Sequence, residues 1–91
     1  MASMVGVFRT DDYESWKRMF DSDPAGRKEA AKGHRVMRSV DDPSEVFVRV
    51  DFGSVDEAQA FRKRLLASNA LDNVTIVKEP TVVDVADEAT Y

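Results

Sequence analysis

The stretch that decides the fold is Glu45-Val46-Phe47-Val48-Arg49-Val50-Asp51-Phe52. Val46, Val48, Val50 and Phe52 fall on alternate residues, as in a strand with one apolar face. The second face carries Phe47, Arg49 and Asp51. It is too apolar for open solvent and too charged for a core, so it points to a sheet that packs against another surface.

Immediately upstream, His34 to Val40 (HRVMRSV) reads as a strand, and Asp41-Asp42-Pro43-Ser44 carries turn chemistry. Together with Glu45 to Phe52 this makes a hairpin. A four-residue turn pairs Val40 with Glu45, which sets Arg38 opposite Phe47, Val36 opposite Arg49 and His34 opposite Asp51. Directly paired residues share a face. This register therefore groups His34, Arg38, Arg49 and Asp51 with Val36, Val40 and Phe47. Met37, Val46, Val48, Val50 and Phe52 are left to face the helices.

The remaining segments extend this unit in both directions. Met4 to Arg9 (MVGVFR) is short, apolar and β-branched, hence a strand. Asp11-Asp12 offers an N-cap to a helix on which Tyr13, Trp16 and Phe20 recur at spacings of three and four. Asp23-Pro24 stops or kinks that helix, and a short second helical piece runs through GRKEAAK to Gly33 as C-cap. Ser54-Val55-Asp56-Glu57 is a capping box, followed by a stripe of Val55, Ala58, Phe61 and Leu65. Asn69 ends that helix and opens a loop to Asn73. Val74 to Lys78 is the last strand, bent or broken by Pro80, and Thr81 to Val85 continues extended. The acidic tail from Asp87 to Tyr91 frays.

The order is β-α-β-β-α-β, an α+β, ferredoxin-like antiparallel sheet with both helices on one face. Residues 1–91 make a single domain, with 82–91 as a C-terminal extension or tail.

Composition narrows the function. The 91 residues suffice for one core. Net charge is −4 with scattered basic residues, so no nucleic-acid footprint forms, and Arg62-Lys63-Arg64 reads as a solvated helix face. The absence of cysteine removes disulfides and thiolate chemistry, and a single histidine leaves no His-rich metal site. MASMVGVFRT lacks the charged start and long apolar run of a signal peptide. No apolar run approaches the roughly 20 residues that span a bilayer, so neither membrane nor metal is expected and the cytoplasm is the expected location.

The run Asp-Tyr-x-x-Trp-Lys-x-x-Phe-Asp (Asp12 to Asp21), placed before Arg27 and Gly33, resembles the dimeric α/β-barrel superfamily. So does Arg38 to Ala60, with its Asp-Asp-Pro turn, Val-rich strand and Ser-x-Asp-Glu-Ala helix start. The likeness covers most of residues 4–85. It is nearest in style to antibiotic-biosynthesis-monooxygenase-like and cyclase-like small proteins. The resemblance implies a homodimer whose open sheet faces close into a barrel, and a small-molecule pocket between sheet and helices in each subunit. It also implies C-terminal segments that extend the sheet across the dimer. Members oxidise polycyclic phenols without a cofactor, cyclise polyketides, isomerise lactones or degrade haem. The haem-handling members carry a histidine on the second helix, which this chain lacks, so no cofactor is expected.

Within that frame, His34 is the candidate general base, with Asp51 across the hairpin as its orienter. The plainer reading of His34, a strand-end histidine in a structural hydrogen bond, is preferred. Arg38 and Arg49 have the forked donors to hold a carboxylate or enolate oxygen, although structural ion pairing is the favoured role. Trp16, Phe61 and Tyr13 are candidates to line a flat pocket for an aromatic or polyketide-like ligand, while aromatics at helical spacing more often belong to a core. The leading expectation is a small-molecule-binding homodimer. The alternatives are a cofactor-independent monooxygenase or cyclase, and a structural interaction module without a ligand.

Overall fold

A computed structural model describes residues 2–91. The first strand, β1 (Ala2–Arg9), buries Ala2, Met4 and Phe8 on one face by simple alternation. Helix α1 (Tyr13–Asp21) starts where the Asp12 carboxylate accepts the Ser15 N–H at 3.0 Å. Its stripe turns Trp16 inward, 7% exposed. A single turn, α2 (Arg27–Ala30), follows Asp23 and Gly26, both of which have positive φ. Strands β2 (Gly33–Arg38) and β3 (Glu45–Phe52) come next, then helix α3 (Val55–Ala67) and strand β4 (Thr75–Asp84). The Ser54 half of the capping box forms, its hydroxyl accepting the Glu57 N–H at 3.2 Å.

All pairings are antiparallel and the spatial order is β2-β3-β1-β4. This is the ferredoxin-like arrangement, with the helices on one face of the sheet.

The hairpin register differs by one residue from the sequence expectation. Gly33 pairs with Asp51, His34 with Val50, Val36 with Val48 and Arg38 with Val46. The cause lies in the connection. Glu45 N–H donates to the Asp42 carbonyl at 2.9 Å, a turn with Pro43 at its second position, and Ser39 N–H donates to the Glu45 carbonyl at 3.0 Å. The loop is thus five residues, Val40 to Ser44, and Val40 is 96% exposed rather than the last residue of a strand. One residue of slip exchanges the two faces of a strand. His34, Val36 and Arg38 lie on the helix-covered side with Val46, Val48 and Val50, while Met37 joins Phe47, Arg49 and Asp51 on the open side.

Three further expectations are corrected or narrowed. Of the two outcomes expected at Pro80, the strand is not broken: β4 runs through it, and the irregularity appears as register shifts against β1 on either side of Val7. Gly6 stands opposite this bulge, and a Cβ there would lie 3.6 Å from both the Lys78 oxygen and the Pro80 Cα. Nor is the Arg62–Arg64 stretch simply solvated. Arg62 Nε donates to the Pro80 carbonyl at 2.6 Å, tying α3 to the bulge, and Arg64 Nε donates to Ala25 O at 3.2 Å. Gly33, expected as a C-cap, opens β2 instead.

The core comes in two parts. Met4, Val50, Phe52, Ala58 and Phe61 form one cluster beneath α3, with the Phe52 and Phe61 rings 5.4 Å apart. Phe8, Trp16 and Val46 form the other beneath α1, with Phe8 and Trp16 4.8 Å apart. The opposite face of the sheet is uncovered.

Candidate functional site

Between the two core clusters lies a cavity of about 80 Å³. Its wall includes Met4 and Phe8 from β1, Trp16 from α1, Phe61 and Leu65 from α3, and Ile76 from β4. Gly6 belongs to the wall as well, and the missing side chain there leaves room beside the β4 bulge. The lining is almost wholly apolar, interrupted by Asp23, Arg27 and Lys78. Such a hollow selects an apolar ligand body and leaves its orientation to a few polar groups at the edge.

Of the residues singled out from sequence, Trp16 and Phe61 stand in this wall together. Tyr13 does not. Its ring packs 5.8 Å from Trp16 and is covered by the Arg38 guanidinium at 4.2 Å. Arg38 in turn donates from Nε to the Pro43 carbonyl at 2.9 Å, so it braces the hairpin turn against α1.

His34 and Asp51 are not brought together, because the observed register puts them on opposite faces of the sheet. Asp51 accepts the Ser3 hydroxyl at 2.7 Å and pairs with Arg49 at 3.1 Å on the open face. The Ser3 hydroxyl, with Arg49 beside it, holds the Asp51 carboxyl below the usual carboxylate range. The charged residues that interrupt the apolar strand thus satisfy one another.

The His34 ring meets the edge of Phe20 at 5.0 Å. Partial desolvation there, reinforced by the charges of Arg27 and Lys17, pushes its pKa below the ordinary imidazole value. It is therefore neutral at neutral pH and able to accept a proton. It opens onto a second, shallower hollow shared with Arg27, Lys28 and Lys32.

Sequence reasoning missed Arg27, which is 5% exposed and belongs to both hollows. Hydrophobic periodicity carries no signal for an arginine on a single helical turn. Its burial follows from the Asp23–Gly26 bend, where the Asp23 carboxylate accepts the Arg27 N–H at 2.6 Å and the Lys28 N–H at 3.2 Å. Among the described residues, no three of His, Asp and Glu gather as a metal site. No helix is long and apolar enough to cross a membrane.

No protein-family model matches the sequence, and no curated protein is similar to it. Solved structures are similar in shape. A candidate antibiotic biosynthesis monooxygenase from Deinococcus radiodurans superposes with a TM-score of 0.74 at 11% identity, covering 100% of this chain and 98% of its own. Rv0793 from Mycobacterium tuberculosis gives 0.67 at 16% identity, with 98% of each chain covered. A second candidate antibiotic biosynthesis monooxygenase, from Bordetella bronchiseptica, gives 0.66 at 16% identity, covering 90% of this chain and 91% of its own. The chain shares the fold of these three structures. Identities this low carry the fold and not the activity. In this ferredoxin-like frame the cavity sits between sheet and helices, and the open sheet face lies on the side away from it.

Proposed function

We propose that the chain is a small-molecule-binding protein that acts as a homodimer, with one ligand in the cavity of each subunit. The gap between the two core clusters carries this reading. A domain with no ligand to hold would close Trp16 and Phe61 over Gly6, since interiors pack to the density of organic crystals. The open face supports the dimer. Phe47, Val5 and Val7 are only half-buried there without a covering element, and Met37, Val77 and Val83 are 42%, 54% and 39% exposed. A contiguous apolar patch of this kind marks an interaction surface.

Trp16 is the single tryptophan, so it reports on the wall of the cavity. Titration with para-nitrophenol is expected to quench its fluorescence saturably, with a Kd below about 1 mM for so small a ligand. Gly6→Leu, which fills the cavity from the sheet side, should weaken binding at least tenfold while the domain stays folded. Quenching that never saturates, or that is unchanged in Gly6→Leu, would remove the cavity as the binding site.

A second reading is favoured by the description that two of the fold neighbours share. On that reading the chain is a cofactor-independent monooxygenase or cyclase acting on an aromatic or polyketide-like substrate, and His34 is its base. Asp51 is not the orienter, since it faces the other way; the neutral imidazole would work beside Arg27, whose charge favours the phenolate or enolate it creates. Replacement of His34 by Ala is expected to lower kcat by about 10²–10⁴-fold on a polyphenol that the wild type consumes. Equal turnover by the variant would retire His34 as base.

A further inference from the structure

Arg27 is the most deeply buried charged side chain among the described residues, and it has no anion of its own. Its guanidinium carbon lies 3.7 Å from the centre of the Phe20 ring, and Nη1 donates to the Phe20 carbonyl at 3.0 Å. Among the described residues no carboxylate lies within ion-pairing distance of it. Of the three carboxylates near it in sequence, Glu29 forms no ion pair with it and the other two are engaged elsewhere. Asp23 is held by the backbone N–H groups of Arg27 and Lys28, and Asp21 is held by Lys17 at 2.7 Å. Burial of a cation without a partner is costly. A guanidinium offers five N–H donors in a fixed fork, and one of them is spent on Phe20.

Arg27 also sits where the two hollows meet. On one side is the apolar cavity with Trp16 and Phe61; on the other is a hollow of about 190 Å³ edged by Lys28, Lys32 and His34. The positive side chains converge there although the chain as a whole is acidic, at −4.

Resting on the small-molecule reading above, we infer that the ligand is an amphiphilic organic carboxylate: its apolar body fills the cavity and its carboxylate pairs with the Arg27 fork. Lys28 and Lys32 surround that head with positive charge, the neutral His34 ring offers it a hydrogen-bond donor, and the second hollow becomes its solvent-facing vestibule. The planar carboxylate matches the fork better than a neutral hydroxyl does, because two parallel charge-assisted bonds form instead of one ordinary bond.

The test compares two probes of nearly the same shape, hydrocinnamate and hydrocinnamyl alcohol, by Trp16 fluorescence and calorimetry on the full chain. The wild type is expected to bind the acid at least tenfold more tightly than the alcohol, as hydrogen bonds to charged groups allow. Arg27→Met keeps the bulk over Phe20 and should erase that preference, lowering affinity for the acid and leaving the alcohol unchanged. Arg27→Lys, which keeps the charge without the fork, should retain only part of it. Equal affinity of the wild type for acid and alcohol would overturn the anchor and leave the cavity standing as a binding site. No binding of either probe would overturn both. The wild-type comparison decides the matter even if Arg27→Met does not fold.

Discussion

Phe47→Asp is expected to convert the proposed homodimer into monomers while leaving the domain folded. Phe47 lies on the sheet face that no helix covers, paired to Val7 on one side and Met37 on the other. In a dimer joined through that face, each subunit would bury a new carboxylate on the same side of the strand as Asp51. An unpaired buried charge costs about 3–5 kcal/mol, and a twofold interface incurs the penalty twice. The association constant should therefore fall by more than about a thousandfold. Sedimentation or native mass spectrometry at low micromolar concentration reads this directly, with circular dichroism as the control for folding. A variant that keeps the mass of two chains would eliminate this face as the interface, and a wild type found only as one chain would eliminate the dimer.

The second large effect is on stability. Phe52 is fully buried at the end of β3, its ring against Phe61 and its neighbours Val50 and Ala58 equally enclosed. Phe52→Ala leaves a void in the half of the core beneath α3, and such truncations cost about 3–5 kcal/mol. Set against a total of roughly 5–15 kcal/mol for a domain of this size, most or all of the folding free energy is lost. Urea denaturation at 25 °C should show the midpoint collapsing towards zero. A loss under about 1 kcal/mol would mean that this half of the core is looser than its packing indicates.

These two positions also mark what was legible in the sequence. The alternation of Val46, Val48, Val50 and Phe52 specified a half-buried strand and its inner face, and all four lie where that alternation puts them. Asp12 and Ser54 announced both long helices because an N-cap needs a particular oxygen at a particular offset. The pairing of the hairpin was not legible. An apolar Val40 looks like the end of a strand, yet the Asp42–Glu45 turn hydrogen bond takes it out of the ladder and shifts β2 by one residue. That single step moved His34 and Arg38 to the helix side and parted His34 from Asp51. Helical periodicity turned Trp16 and Phe61 inward, towards a core, and only the family resemblance implied a pocket there, whereas Arg27 depends on a loop conformation with two positive φ angles, for which no periodic pattern exists.

The bulge where β4 passes Gly6 has a bearing on how copies of the chain can meet. β4 is an outer strand, and an outer strand ordinarily presents a regular row of donors and acceptors on which a stray chain can template itself. Here Pro80 removes one donor from β4, two register shifts disturb its spacing, and Arg62 occupies the Pro80 carbonyl. Growth along the hydrogen-bonding direction, the route to fibres, is thereby discouraged at this edge. In the proposed homodimer, contact across the sheet's broad side would instead be exhausted once two subunits had met.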